Sequence, residues 1–162
     1  MKVLVALDGS DCSLAALDSV IERQWLSNAE FRLLSVVEPP PAEGAEEIPQ
    51  YAQYLDEAQQ LLFRQARQLV NERVEYVKRE LPHSRIIGKV IEGNVVDSIV
   101  REASRWGADV IIMGSHGRSG VQKALLGSVA EAVVGRASCP VEIVRKNHSP
   151  GKRKNSVQAT AS

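Results

Sequence analysis

The sequence predicts an α/β protein: a single doubly wound domain on a five-stranded parallel sheet flanked by helices. Three observations carry this. Five short apolar runs alternate with stretches of helical periodicity, the pattern of βαβ units joined by right-handed crossovers. The first run, Val3-Leu4-Val5-Ala6-Leu7, is continuously apolar, as a strand covered on both faces must be. A chain of 162 residues, 44% of them hydrophobic, suffices for one core and leaves no room for a second full domain.

The run Val3–Leu7 ends in the turn Asp8-Gly9 and reads as the central strand. Ser10 or Asp11 can cap a helix reaching about Leu26, because Leu14, Leu17, Ile21 and Trp25 recur at helical spacing. Phe31–Val37 is a second strand, stopped by Glu38-Pro39-Pro40-Pro41. Residues 38–50 hold four prolines, Gly44 and several glutamates, the composition of an exposed loop. From about Tyr51 to Leu81, Leu55, Ala58, Leu62, Leu69, Val74 and Val77 mark the longest helix, which Pro82 ends.

Arg85–Glu92 is a weaker strand interrupted by Gly88-Lys89, suited to a sheet edge. Asn94 can cap a helix over Val95–Trp106, with Gly107 where a left-handed stop belongs. The strand Val110–Met113 follows. Ser128-Val129-Ala130-Glu131 reads as a capping box opening a helix from Ser128 to near Gly135, and Pro140–Val144 is the last strand. Residues 1–146 thus form the domain. The polar segment 147–162 has too few large apolar side chains to offset the entropy of ordering and reads as a disordered basic tail.

Chemistry concentrates where the fourth strand ends. Gly114-Ser115-His116-Gly117 is followed, after nine residues, by Gly127-Ser128. Glycines at a strand-to-helix turn let backbone amides approach an anion, and a helix start there adds free N–H groups and a favourable dipole. Ordinary turn glycines would look the same. Neither the Walker pattern GxxxxGK[ST] nor the dinucleotide pattern GxGxxG occurs. In a doubly wound sheet the ligand sits where the winding reverses, which would bring Asp8 to this turn if their strands are neighbours.

The glycine string, together with Val3–Asp8 and Cys139–Arg145, resembles the universal stress protein family over about residues 1–146. The resemblance implies a Rossmann-like fold of the HUP type with strand order 3-2-1-4-5. It also implies a cleft for ATP or another adenine nucleotide (ADP, AMP or a cyclic form). By that resemblance Gly114, Ser115, His116, Gly117, Gly127, Ser128 and Val129 cradle phosphate and ribose, and Asp8 sits by the ribose or a phosphate-bound Mg²⁺. Adenine lies against Val36, with Ala6, Leu7 and Met113 lining the cleft. Ala130 departs from the threonine common in related members. A homodimer through the Val141–Val144 strand is implied as well, which would cover an apolar edge that the tail could also protect.

Several of these positions have a second reading. His116 is either a general base or phosphoacceptor, or simply the donor of a backbone amide. Asp8 has the sequence context of a turn and helix cap. Arg118 either meets a terminal phosphate or is a solvated loop charge.

The bulk numbers exclude other classes. Basic and acidic residues number 20 each, but five of the basic ones follow Glu142, the last acid, so residues 1–144 carry a net −5. That acidic body argues against broad nucleic-acid binding; the tail bases are a solvated terminus or a contact with something anionic. No apolar run reaches the roughly 18 residues of a membrane span. Two cysteines, Cys12 and Cys139, without metal-ligand spacing or a secretory leader, indicate a cytoplasmic protein with two small buried thiols rather than a disulfide. The expected function is a regulatory dimer that binds an adenine nucleotide. The alternatives are slow ATP hydrolysis or self-phosphorylation, with Mg²⁺ at Asp8 and Ser115, Ser119 or Ser128 as acceptor, and an interaction subunit with an incidental cleft.

Overall fold

The computed structural model describes residues 1–25, 28–41, 49–117 and 126–145. Its elements run β1 (Lys2–Ala6), α1 (Asp11–Ile21), β2 (Glu30–Val37), α2 (Pro49–Glu80), β3 (Arg85–Glu92), α3 (Val95–Trp106), β4 (Val110–Gly114), α4 (Ser128–Arg136) and β5 (Val141–Val144). All strands are parallel in the order β3-β2-β1-β4-β5, as the family resemblance implies. β1 is central, and its apolar run is buried because helices cover both faces.

Two apolar layers follow from strand alternation. Val3, Val5 and Leu7 of the β1 segment join Phe31 and Leu33 against α1 and α2, in one cluster with Leu17, Val70 and Val77. Leu4 and Ala6 join Leu34, Ile111 and Met113 against α3 and α4, with Ile99 and Val133. Leu7 donates its N–H to Leu34 O at 2.8 Å, so the alternation continues past the end of β1.

Local chemistry explains most boundaries and corrects some. Ser10 Oγ accepts from Ser13 N, capping α1. That helix stops at Ile21, short of Leu26. Trp25 leaves it to set its ring edge-on to Phe31 at 5.2 Å, and the indole N–H donates to Val20 O, a last-turn carbonyl that also accepts from Arg23 N at 3.4 Å. α2 begins at Pro49, two residues before the expected Tyr51, with proline at the first helical position, where its missing N–H costs nothing. Asn94 and Gly107 cap α3 as expected, Gly107 at φ +68°.

The capping box at Ser128 does not form. Gly127 is the N-cap, Ser128 is already helical, and no side chain caps the helix. The reason lies upstream: Ser115 O accepts from Gly127 N at 2.8 Å, which holds Gly127 in extended conformation and gives it the cap position, while the helix itself starts at Ser128 as expected.

β3 is an edge strand, but Gly88 serves packing there. A Cβ at Gly88 would lie 2.5 Å from Val70 Cγ1, so the glycine lets α2 approach. On the opposite face Glu102 is 4% exposed and is held by Arg32 at 2.5 Å and Lys89 at 2.7 Å, while the Arg32 guanidinium lies 4.2 Å from the Trp106 ring centre.

β5 forms the other edge, its side chains half-buried and its register pinned by a bidentate Arg23–Glu142 pair. Arg23's hydrogen bonds hold the Glu142 carboxyl below the usual range, against the opposing effect of burial. Cys12 and Cys139 are free and half-buried rather than fully buried; burial, then the charge of Asp109, raises the Cys139 thiol. The tail lies outside the described residues.

Candidate functional site

β1 and β4 are neighbours although about a hundred residues separate them in sequence. The winding reverses between them, and their carboxyl ends open into a cleft of about 900 Å³. Every predicted site residue among the described ones borders it: Ala6, Leu7, Asp8, Val36, Met113, Gly114, Ser115, His116, Gly117, Gly127, Ser128 and Val129. Arg118 lies outside the described residues.

Backbone bonds fix the floor. Ser115 N donates to Val144 O at 2.8 Å and Ser115 O receives Gly127 N at the same distance, so one residue ties the edge strand β5 to the start of α4. Asp8 Oδ1 accepts from Ser10 N at 2.9 Å and from Ser10 Oγ at 2.6 Å, the turn-and-cap geometry its sequence context suggested. Ser10 Oγ also lies 3.2 Å from His116 O, which ties the β1 turn to the β4 turn.

The glycines act through space rather than unusual dihedrals, since positive φ among the described residues occurs only at Gly9, Gly93 and Gly107. At Gly114 the structure gives a packing reason that the sequence did not show. A Cβ there would lie 2.6 Å from the carbonyl carbon of Cys12 and 2.7 Å from Ser13 N, so the residue admits the first turn of α1. At Gly117 a Cβ would meet Asp8 Oδ2 at 2.9 Å, and at Gly127 Ser115 O at 3.0 Å. All three glycines compress the floor so that β1, β4 and α4 converge.

Electrostatically the site is a helix start. Glu131 N makes the first helical bond of α4, to Gly127 O, which leaves the N–H groups of Ser128, Val129 and Ala130 for an acceptor at the cleft, with no side-chain cap in the way. Aligned peptide dipoles favour an anion there. Ser115 is 2% exposed, and its hydroxyl lies 3.8 Å from Cys12 Sγ and 3.1 Å from His116 Nδ1. That engages it beneath the floor and disfavours it as a phosphoacceptor.

Sequence reading missed the other wall. Leu62, Gln65, Ala66 and Leu69 of α2, with Ser35 and Val37 of β2, line the cleft on the α1/α2 side of the sheet, and Val95 and Ile99 of α3 line the opposite side. Leu62 and Leu69 entered the helical periodicity of α2, but only as core positions, and Ala66 between them was not singled out. Leu7 belongs to the α1/α2 side, whereas Ala6, Val36 and Met113 belong to the α3/α4 side.

These features define a doubly wound, Rossmann-like α/β domain whose cleft lies at the carboxyl ends of its strands, beside an uncapped helix start. The pattern of the Universal stress protein family matches residues 1–145, and the chain belongs to that family. Universal stress protein MJ0531 of Methanocaldococcus jannaschii is 33% identical over 150 residues, covering 90% of this chain and 82% of the relative. The solved structure of hypothetical protein MJ0577, from the same organism, is 31% identical with a TM-score of 0.73 and covers 91% of this chain and 97% of its own. A universal stress protein solved in complex with cAMP is 25% identical, with a TM-score of 0.60 and coverage of 91% and 98%.

Proposed function

We propose that this protein binds an adenine nucleotide, ATP in the first instance, and works as a cytoplasmic regulatory dimer rather than as a fast enzyme. The observation that carries the reading is the uncapped start of α4, whose Ser128, Val129 and Ala130 amides face the cleft across from Asp8. Phosphate oxygens accept from these amides, and Gly114–Gly117 form the floor beneath the ribose and phosphates. Adenine occupies the apolar α3/α4 side, against Ala6, Val36 and Met113. The cAMP complex of a relative supports this ligand class.

Asp8 faces the ribose or a phosphate-bound Mg²⁺. No cluster of three metal-ligating side chains occurs among the described residues, so an Mg²⁺ would rest on Asp8, phosphate oxygens and water, a donor set that suits this hard cation. When bound it would neutralise phosphate charge. In the dimer reading, the Val141–Val144 strand pairs with the same strand of a second copy; the place of β5 at the edge of the sheet supports it.

Two measurements test this. Protein purified without added nucleotide is denatured and the supernatant analysed by mass spectrometry, and the apo form is titrated calorimetrically with ATP, ADP, AMP and cAMP. Saturable binding of at least one is expected; none released and none bound overturns the reading. Sedimentation equilibrium tests the dimer separately.

A further inference from the structure

The cleft is larger than the site that the glycine motif organises, and strand alternation divides the excess from it. We infer that the α1/α2 side of the sheet edge is a second binding compartment, which takes a neutral aliphatic molecule with one hydroxyl or carbonyl group. Leu7, Ser35, Val37, Leu62, Ala66 and Leu69 form it. Leu7 packs with Leu33 and Val70 on this face, and the period of two along β2 puts Ser35 and Val37 on the same side as Leu33. Leu62, Ala66 and Leu69 recur at helical spacing on α2, which covers that face. Val36, one residue from Ser35, points to the opposite side, where the α3/α4 cluster lies.

The second observation is Ser35 itself. It is 4% exposed, its residual surface borders the cleft, and its hydroxyl has no hydrogen-bond partner among the described residues. Ser35 Oγ is not among the fully buried polar atoms that lack a partner, so it opens to the cleft, where a ligand oxygen in place of water would bond to it and fix the ligand's orientation. Charge sets the class of ligand. The charged side chains among the described cleft residues are Asp8 and Glu38, both acidic, and no lysine or arginine among them faces this side. A fatty carboxylate would meet no lysine or arginine among the described cleft residues, whereas an alkanol, amide or ester fits.

The compartment is separate from the nucleotide reading and does not rest on it. Full-length protein carrying ¹³C-methyl leucine and valine is titrated with 1-octanol and followed by NMR, with and without ATP. Saturable shifts are expected at Leu62, Leu69 and Val37, not at Val129, and they persist in the presence of ATP. Ser35→Ala weakens binding about fivefold, the size of one neutral hydrogen bond. Ala66→Phe fills the space and removes saturation while distant methyl signals stay in place, which shows that the fold is kept. Shifts that are absent or unsaturable, that centre on Val129, that ATP displaces, or that Ser35→Ala leaves unchanged overturn the inference. If ATP itself fails to bind, the nucleotide reading falls and the octanol result still decides this one.

Discussion

Replacing Gly114 by alanine tests whether the floor of the cleft is held by packing of α1 on β4. The new methyl would lie 2.6 Å from the Cys12 carbonyl carbon and 2.7 Å from Ser13 N, where ordinary carbon contacts are about 3.5–4.0 Å. Either α1 retreats by about 1 Å or β4 bends, and both atoms met are backbone, so no rotamer change relieves the clash. Overpacking costs about 1–3 kcal/mol, and a backbone-on-backbone clash belongs at the upper end. At about 2–4 °C per kcal/mol for a domain of this size, the melting temperature should fall by roughly 6–12 °C.

The control is the same substitution at Gly135, the penultimate residue of α4, where a Cβ meets nothing within 4 Å. There alanine removes backbone entropy from the unfolded chain and should stabilise by about 0.5 kcal/mol. Urea unfolding followed by circular dichroism, with unchanged m-values, measures both. If the two variants shift the midpoint in the same direction, or Gly114→Ala lies within about 0.5 kcal/mol of wild type, the packing account of the floor is wrong.

Three further outcomes are expected. Gly127→Val should abolish nucleotide binding measured by calorimetry while the protein stays folded by circular dichroism, because its Cβ crowds Ser115 O at 3.0 Å and displaces the α4 amides. Glu102→Ala should destabilise by about 3 kcal/mol in urea, since it leaves the largely buried Arg32 guanidinium without its carboxylate; Glu102→Gln should cost less. Arg23 depresses Glu142, so that carboxylate stabilises the fold above its unfolded pKa, and the contribution disappears as pH falls through the lowered folded value. Glu142→Gln should therefore flatten the loss of urea midpoint from about pH 5 to pH 3, by a small amount because the pair is largely solvated.

What the sequence revealed was what local chemistry decides. A run of apolar residues could mean only a buried strand at Val3–Leu7, and Asn94 and Gly107 declared their caps through side-chain chemistry and handedness. The glycine spacing, through its family resemblance, located one side of the cleft. The failures share a cause: a distant contact overruled a local preference. Trp25 left its helix for Phe31, a residue in the next strand. Ser128 lost its cap role because Ser115 O had already fixed Gly127. The packing role of Gly114 stayed hidden, since nothing in its own segment reveals that α1 packs on it. The α2 wall was hidden for the same reason, because an apolar stripe does not say whether it meets a core or a cavity.

α2 spans 32 residues, about 48 Å, whereas β3, on which it packs, spans eight residues, about 26 Å. Its buried anchors, Val70, Val74 and Val77, all lie in the carboxyl-terminal half. The two halves therefore differ in cost of opening: amides beyond the sheet edge exchange with solvent through local fraying, while those around Val74 exchange only when the core opens. Leu62 and Ala66 sit toward the loosely anchored half. A molecule entering behind Ser35 thus needs only the cheaper of these two motions, and the core holding the sheet together stays closed while it passes.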